Sequence, residues 1–175
     1  MKRIILISLF VIAVAATLIC ACTAKNDYPE WRLTSGVTAK FTDNGKYGFI
    51  LTVEGEGAMP DYSSKKDAPW YGKSGRISEI VISDGITSVG KNAFADCALV
   101  KQAVLPESVE SVGENAFSAG TEYYAYGEVA VAGGGKVYIY SETAPQTDGD
   151  FWHYKNGIIA VWDKVNKTTK VLFIG

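Results

Sequence analysis

The stretch Ile77-Ser-Glu-Ile-Val-Ile-Ser-Asp-Gly-Ile-Thr-Ser-Val-Gly-Lys-Asn-Ala-Phe-Ala-Asp-Cys97 returns as Val100-Lys-Gln-Ala-Val-Leu-Pro-Glu-Ser-Val-Glu-Ser-Val-Gly-Glu-Asn-Ala-Phe-Ser-Ala-Gly120. The offset is the same throughout, from 77 to 100 at the start and from 97 to 120 at the end. Seven positions are identical: Val81/Val104, Ser88/Ser111, Val89/Val112, Gly90/Gly113, Asn92/Asn115, Ala93/Ala116 and Phe94/Phe117. A fixed period in the twenties is the mark of a chain that adds one coil per repeat. Ile77, Ile80 and Ile82, then Val100, Ala103 and Leu105, are expected to point inward from a short strand. Asp84-Gly85 and Pro106-Glu107-Ser108 supply the turn chemistry that follows. Val89 and Val112 return the chain to the core. Gly90 and Gly113 are expected in a backbone conformation that costs other residues more. Asn92-Ala93-Phe94 and its copy are expected to form a short helical or 3₁₀ turn that sends Phe inward, where each ring is worth about 1.5–3 kcal/mol. The expected core is Ile80, Ile82, Val89, Phe94, Cys97, Leu105, Val112 and Phe117.

A strand followed by Gly-Ile-Thr-Ser-Val-Gly-x-Asn-Ala-Phe-x-x-Cys resembles the BspA-type (Treponema-type) leucine-rich repeat of bacterial surface proteins. Trp31-Arg-Leu, Leu51-Thr-Val-Glu-Gly-Glu-Gly-Ala-Met-Pro-Asp-Tyr62 and Ala68-Pro-Trp-Tyr71 are similar to the module that often precedes those repeats. The resemblance covers Trp31 to Gly120 well and the remainder loosely. It implies a mainly β, right-handed leucine-rich-repeat solenoid, surface display, and binding or adhesion. It implies no catalytic residues.

Two coils cannot bury their own ends, so residues 31–76 and 121–175 are expected to cap the repeats of 77–120 with β-hairpins. Val37–Thr42 and Phe49–Glu54 read as strands around Asp43-Asn44-Gly45. Phe49, Leu51 and Val53 would lay one face on the first coil, with Met59, Trp70 and Tyr71 closing that end. On the other side Lys136–Tyr140 reads as a further, degenerate coil strand. The step from Leu105 to Ile139 exceeds the repeat offset, so Thr121–Gly135 is expected to be an excursion or hairpin. Ile158–Trp162 reads as another strand near the period, with Lys170–Ile174 paired to it.

The N-terminus reads as an address. Lys2 and Arg3 precede the uncharged apolar run Ile4–Ile19, and a polar stretch begins at Thr23. Ile19-Cys20-Ala21-Cys22 resembles the lipobox of bacterial lipoproteins. Cys22, with an aliphatic residue three before it and a small one just before, fits the acylated position. Cys20 does not, because Ile19 is too bulky for the place before the cut. The expectation is a signal peptide over 1–21, Cys22 as lipidation site and membrane anchor, and a tether over 22–30. Removing Lys2 and Arg3 from the 17 basic residues leaves 15 against 19 acidic, a net charge of −4. No concentrated positive face remains to displace counterions, which excludes nucleic acid as a partner.

Catalytic chemistry finds little support. His153 is the single histidine and lacks the partners of a triad or a metal site. Asp148-Gly149-Asp150 is a turn without the oxygen ligands of a calcium loop. Cys97 stands alone in the ectodomain, so it forms no internal disulfide there and reads as a small core residue. Gly133-Gly134-Gly135 is not followed by the Lys-Ser/Thr of a phosphate loop. No cofactor or metal is expected, and the chain does not read as an enzyme.

A binding face is the remaining feature. With Ile80/Ile82, Ala103/Leu105 and Val137/Ile139 inward, the outer rows read Glu79–Gln102–Lys136, Val81–Val104–Tyr138 and Ser83–Pro106–Tyr140. Glu79, Gln102, Val81, Val104, Tyr138 and Tyr140, with Trp162, are the candidate ligand-binding residues. Either the tyrosines form an exposed aromatic end to this face, or they pack under the Thr121–Gly135 excursion. The functional expectation is an outer-membrane lipoprotein facing the cell surface that binds a protein or glycan. The alternatives are a structural envelope lipoprotein and an extracellular hydrolase.

Overall fold

The structure is a computed structural model that describes residues 28–164 and 168–171. The signal segment, Cys22, the first residues of the tether and the distal end of the terminal hairpin lie outside these residues. The fold is mainly β. Its strands are β1 (Glu30–Arg32), β2 (Val37–Asp43), β3 (Phe49–Gly55), β4 (Gly57–Ala58), β5 (Ile77–Ile82), β6 (Ile86–Val89), β7 (Gln102–Leu105), β8 (Ser111–Val112), β9 (Glu122–Ala125), β10 (Ala130–Val131), β11 (Val137–Tyr140), β12 (Phe151–Lys155), β13 (Ile158–Trp162) and β14 (Thr169–Val171). Short 3₁₀ turns span Gly45–Tyr47, Lys65–Asp67 and Tyr71–Arg76. No helix among the described residues is long and apolar enough to cross a membrane.

Among the described residues the strands form three sheets, ordered β1-β2-β3-β5, β4-β6-β8-β10 and β7-β9-β11-β12-β13-β14. From β3 to β11 the chain alternates between a row of longer strands and the short ladder β4-β6-β8-β10. Each return to the longer row closes one circuit. Inward residues of both rows form one core, including Leu51, Ile80, Ile82, Val89, Leu105 and Val112, all buried.

From one repeat to the next, Ser88 pairs with Ser111 and Val89 with Val112 in parallel register. Phe94 and Phe117 share an isolated parallel bridge. Their rings lie 5.0 Å apart, inside an aromatic column that runs Trp31, Trp70, Phe94, Phe117, Tyr123 at successive centroid distances of 5.9, 5.4, 5.0 and 5.6 Å. Trp70 Nε1 donates to the Ala93 carbonyl at 2.8 Å, which satisfies its one polar atom inside the core. The Phe segments are not helical. Asn92 and Asn115 sit in the left-handed region, at φ 57 and 54, and the Phe94 N–H goes to Ala116 of the next circuit rather than back along its own turn.

The two repeat glycines also differ from expectation. Neither Gly90 nor Gly113 has a left-handed φ. A Cβ on Gly90 would lie 1.9 Å from the Pro60 carbonyl oxygen, and one on Gly113 would lie 2.6 Å from the Lys91 nitrogen. They are small because neighbouring circuits touch main chain to main chain there. The left-handed conformation falls two residues later, on asparagine, which tolerates it better than most side chains.

Both flanks depart from the sequence reading. Tyr28–Glu30, read as the end of the tether, belong to the fold. Tyr28 packs on Phe49 and donates to Asp43 at 2.7 Å, and Glu30 starts β1. β3 does not lie face-on against the first repeat. It pairs edge-on and parallel with β5, Leu51 opposite Ile80 and Val53 opposite Ile82, while β4 pairs with β6. Residues 49–76 are therefore a circuit in their own right. Thr121–Gly135 is no excursion. It contains β9, which pairs parallel with β7 (Ala103 opposite Tyr123), and β10, which pairs with β8. β13 is not a coil strand; it forms an antiparallel hairpin with β12 around Asn156-Gly157, both at positive φ. β14 pairs antiparallel with β13.

Candidate functional site

Three aromatic pairs recur at a constant spacing: Tyr124/Tyr126, Tyr138/Tyr140 and Trp152/Tyr154. Alternate residues of a strand share a face, and the ladders bring these pairs together. Tyr124 is opposite Tyr138, and their rings stack at 5.0 Å with 5° between planes. The register then shifts, so that Trp152 stands opposite Tyr140. The Tyr126 and Tyr140 rings lie 4.9 Å apart. Trp152 is fully buried and meets Tyr124, Tyr126, Tyr140 and Tyr154 edge to face, at 5.8, 5.1, 5.2 and 5.1 Å. Its Nε1 reaches two strands away, to the Ala125 carbonyl at 3.1 Å, so the sheet curls around it.

This cluster is a second apolar centre that also holds Ile159 and Val161. β9 separates it from the repeat core. Tyr123 and Ala125 belong to the repeat core and Tyr124 to the second centre, so the strand is buried on both faces.

Of the two placements open to the tyrosines, exposed or packed against the 121–135 segment, Tyr138 takes the packed one. It is only 5% exposed, because its ring is stacked on Tyr124, and its hydroxyl points to Glu122 Oε1 at 3.4 Å. The Tyr124 hydroxyl donates to the other oxygen of the same carboxylate at 2.8 Å. Burial, then this carboxylate, pushes the Tyr124 hydroxyl up from the ordinary phenol range. Lys136 lies 4.5 Å over the Tyr138 ring. Gln102 Nε2 faces the Tyr124 hydroxyl at 3.5 Å. Glu79 and Val81 are exposed on β5 and Val104 is half-buried on β7. These three share the outward face with the tyrosines but do not converge on one point.

Trp162 sits elsewhere. Its Nε1 donates to the Ser141 carbonyl at 3.0 Å, and its ring stacks on His153 at 4.3 Å. With Tyr138, Lys136, Asp150, Lys164 and Lys170 it lines a hollow of about 260 Å³. His153 Nε2 meets the Thr169 hydroxyl at 3.1 Å, and burial lowers its pKa. Its partner is a hydroxyl rather than a carboxylate, which is not the arrangement of a general base. Asp150 is paired with Lys164 at 3.2 Å. Among the described residues no group of three His, Cys, Asp or Glu is placed to hold a metal. Cys97 is buried, and burial, reinforced by Asp96, pushes its thiol up to about 12. That is the signature of a packed side chain and not of a nucleophile.

The part of the aromatic face open to solvent is the Tyr126, Tyr140, Tyr154 edge. Tyr126 is 39% exposed, and the other two are half-buried. Burial, then the neighbouring Tyr154, raises the pKa of the Tyr126 hydroxyl. The sequence reading missed Tyr124, Tyr126, Trp152 and Tyr154. The constant spacing of the aromatic pairs was the signal for all four.

Comparison with known proteins places the repeat. A family model described as a BspA type leucine-rich repeat region of six copies matches residues 68–123. The crystal structure of a leucine-rich repeat protein from Eubacterium ventriosum is similar, with a TM-score of 0.54 and 29% identity over 69% of this chain. The match spans 32% of that protein, so this chain corresponds to about a third of its length. No curated protein matches. Leucine-rich repeats of this kind are recognition modules, typically without catalytic activity, and the proteins that carry them are typically displayed on or secreted from bacteria.

Proposed function

We propose that this chain, whose residues 68–123 are a BspA-type leucine-rich repeat region, is a cell-surface lipoprotein that recognises a protein ligand, in adhesion or in docking to another envelope component. The repeat circuits form a short right-handed solenoid closed by β-hairpins at both ends. Cys22 is the acylated residue that ties it to the outer membrane. Each buried acyl methylene contributes about 0.8 kcal/mol, so two or three chains hold firmly where one does not.

One observation carries the reading: the outward face of the longer strands ends in a rigid set of tyrosines seated on Trp152, with Tyr126 open to solvent. Tyrosine gives large contact area at low entropic cost, which suits it to recognition surfaces.

The test uses the full chain expressed in a bacterium. Labelled palmitate should enter the wild type, and Cys22→Ser should abolish the label and release the protein from membranes. Intact cells should lose the ectodomain to added protease. Cells displaying the wild type should adhere to one or more members of a panel of immobilised proteins and glycans. Tyr126→Leu with Tyr140→Leu should remove that adhesion while leaving the melting curve in place. Adhesion untouched by the double variant would move the site off this face. Binding confined to glycans would overturn the protein ligand.

A further inference from the structure

We propose that the hollow beside Trp162 seats one acidic sugar residue of a glycan, its ring against the tryptophan and its carboxylate between the ammoniums of Lys136 and Lys170. This site is separate from the Tyr126–Tyr140 edge and does not depend on the reading of that edge.

The hollow, of about 260 Å³, lies at one end of the last sheet. Lys136 directly precedes β11 and Asp150 directly precedes β12, while Asp163 and Lys164 directly follow β13, which runs antiparallel to β12. The strand ends therefore deliver these side chains to one place. Lys170 joins them from β14, where it stands opposite Val161. Three ammoniums and two carboxylates line the hollow, a surplus of positive charge on a chain whose net charge is −2. The cations are unequally matched. Lys164 is paired with Asp150 at 3.2 Å. Lys136 sits 4.5 Å over the Tyr138 ring rather than on an acid. Lys170 is exposed, and among the described residues its ammonium forms no ion pair. An ammonium carries three donors, so Lys136 and Lys170 keep donors for an anion.

The rest of the lining selects what carries that anion. Trp162 has one face stacked on His153 at 4.3 Å and its Nε1 spent on the Ser141 carbonyl at 3.0 Å, so it offers the hollow bare ring carbon. An aromatic ring, negative on its face, attracts the polarised C–H groups along one side of a sugar. β13, which carries Trp162, is paired on both sides, with β12 and with β14, and this fixes the ring before a ligand arrives. Asp150 and Asp163 supply acceptors, which suit ligand hydroxyls and repel a ligand that is all anion. A glutamate or aspartate side chain brings the anion but no hydroxyl. A neutral sugar brings hydroxyls but leaves the two ammoniums unmatched. One ring carrying both is the class that uses the whole lining. The volume equals about nine waters at their liquid density, which suits a single sugar ring with the rest of the glycan outside.

The test titrates the full chain, by calorimetry, with three probes. One is a galacturonate tetrasaccharide. The second is its methyl-ester twin, which keeps the rings and loses the charges. The third is tetraglutamate, which keeps the charges and loses the rings. The acid sugar should bind saturably, and the other two at least about fivefold more weakly. Lys136→Gln and Lys170→Gln should each weaken the acid sugar by about two- to fivefold. Lys46→Gln makes the same charge change on the Gly45–Tyr47 turn at the opposite end of the molecule and should leave it unchanged. All three lysines are exposed, so the melting curves should stay in place. Equal binding of acid and ester overturns the proposal, because the charge is then not read. Equal binding of tetraglutamate overturns it as well, because the ring is then not read. An acid sugar that does not saturate, that ignores both lysine variants of the hollow, or that is weakened as much by Lys46→Gln also overturns it. Loss of sugar binding in the Tyr126→Leu, Tyr140→Leu double variant would put the sugar on the tyrosine edge and overturn the hollow as its seat.

Discussion

Adding one methyl group at Gly113 tests how closely the repeat circuits touch. A Cβ there would lie 2.6 Å from the Lys91 nitrogen, 2.9 Å from its Cα and 3.0 Å from the Gly90 carbonyl carbon. All three are main-chain atoms, so no flexible side chain can move aside. Two effects oppose each other. Gly113 has no left-handed φ, so alanine suits its backbone and stabilises by about 0.4–1 kcal/mol through the unfolded chain. Overpacking costs about 1–3 kcal/mol. Parting the circuits also strains the Gly113 N–H bond to the Val89 carbonyl, 2.8 Å long, worth about 0.5–1.5 kcal/mol net. The steric side wins, and Gly113→Ala should destabilise by roughly 1–4 kcal/mol. At the middle of that range Tm falls by roughly 4–10 °C for a chain of this size. Gly75→Ala is the control. It lies in the Tyr71–Arg76 turn with no atom within 4 Å of the added methyl and no left-handed φ, so it should melt unchanged or slightly higher. Melting curves of the two variants followed by circular dichroism decide the matter. A Gly113→Ala protein that melts at or above the wild type would refute main-chain contact between circuits at this position.

Phe94→Ala empties the middle of the aromatic column and should cost about 3–5 kcal/mol in urea unfolding; near-wild-type unfolding would contradict the column. Asn115 is exposed and left-handed, so Asn115→Gly should be near neutral while Asn115→Val should lose about 1–2 kcal/mol, read from the same unfolding curves. Cys97 should resist thiol reagents at about pH 8 until denaturant is added, given its burial. Its thiol rises from 9.0 to about 12 on folding, so the stability it contributes is complete below about pH 9 and is lost as pH rises toward about 12. Urea midpoints should therefore fall over that window, and less steeply in Cys97→Ala. Tyr62, raised from 10.0 to about 12 by burial, adds to the loss in its upper part in both proteins.

The repeat was legible because its signal is local and doubled. Identical residues at one constant offset can only be accommodated by stacking, and Phe94 over Phe117 follows from that. What went unread is where identity fails. Leu51 and Ile80 occupy neighbouring places in one ladder, yet the step between them is longer than the repeat offset and nothing around Leu51 copies the Asn-Ala-Phe turn. Trp70 stands in for Phe there, and only its stack on Phe94 identifies it. β9 was hidden for a different reason. Its sequence Glu-Tyr-Tyr-Ala shows no alternation, because it is buried on both faces, and alternation is the signal that reveals a half-buried strand. The repeat glycines mislead because close approach and left-handed φ leave the same mark in a sequence. Tyr140 was legible as a face residue, but Tyr126 was absorbed into the supposed excursion along with β9.

The steady shortening of the circuits explains why the aromatic face lies at this end of the molecule. Leu51 pairs with Ile80, Ser88 with Ser111, Ala103 with Tyr123, Tyr123 with Val137 and Ile139 with Phe151, so the length of chain between partners falls at every step. The circuit from β9 still visits the short ladder through β10 but omits the Phe turn, returning through Gly133-Gly134-Gly135, all at positive φ. Tyr123 fills the vacated rung against Phe117, and Gly135 must stay bare because a Cβ there would lie 2.5 Å from that ring. From β11 to β12 the chain skips the short ladder as well. Each omission removes a wall of the inner core, so the last strands have progressively less to bury on their inward side. Their apolar residues turn to the other face, where Tyr124, Tyr138, Trp152, Ile159 and Val161 form the second centre. An interior that tapers in this way turns aromatic side chains outward onto Trp152, and Tyr126, at the rim of that packing, keeps an edge at the surface. That geometry makes Tyr126 available to a partner without any cost to the repeat core, since the rings it rests on are already required to close the fold.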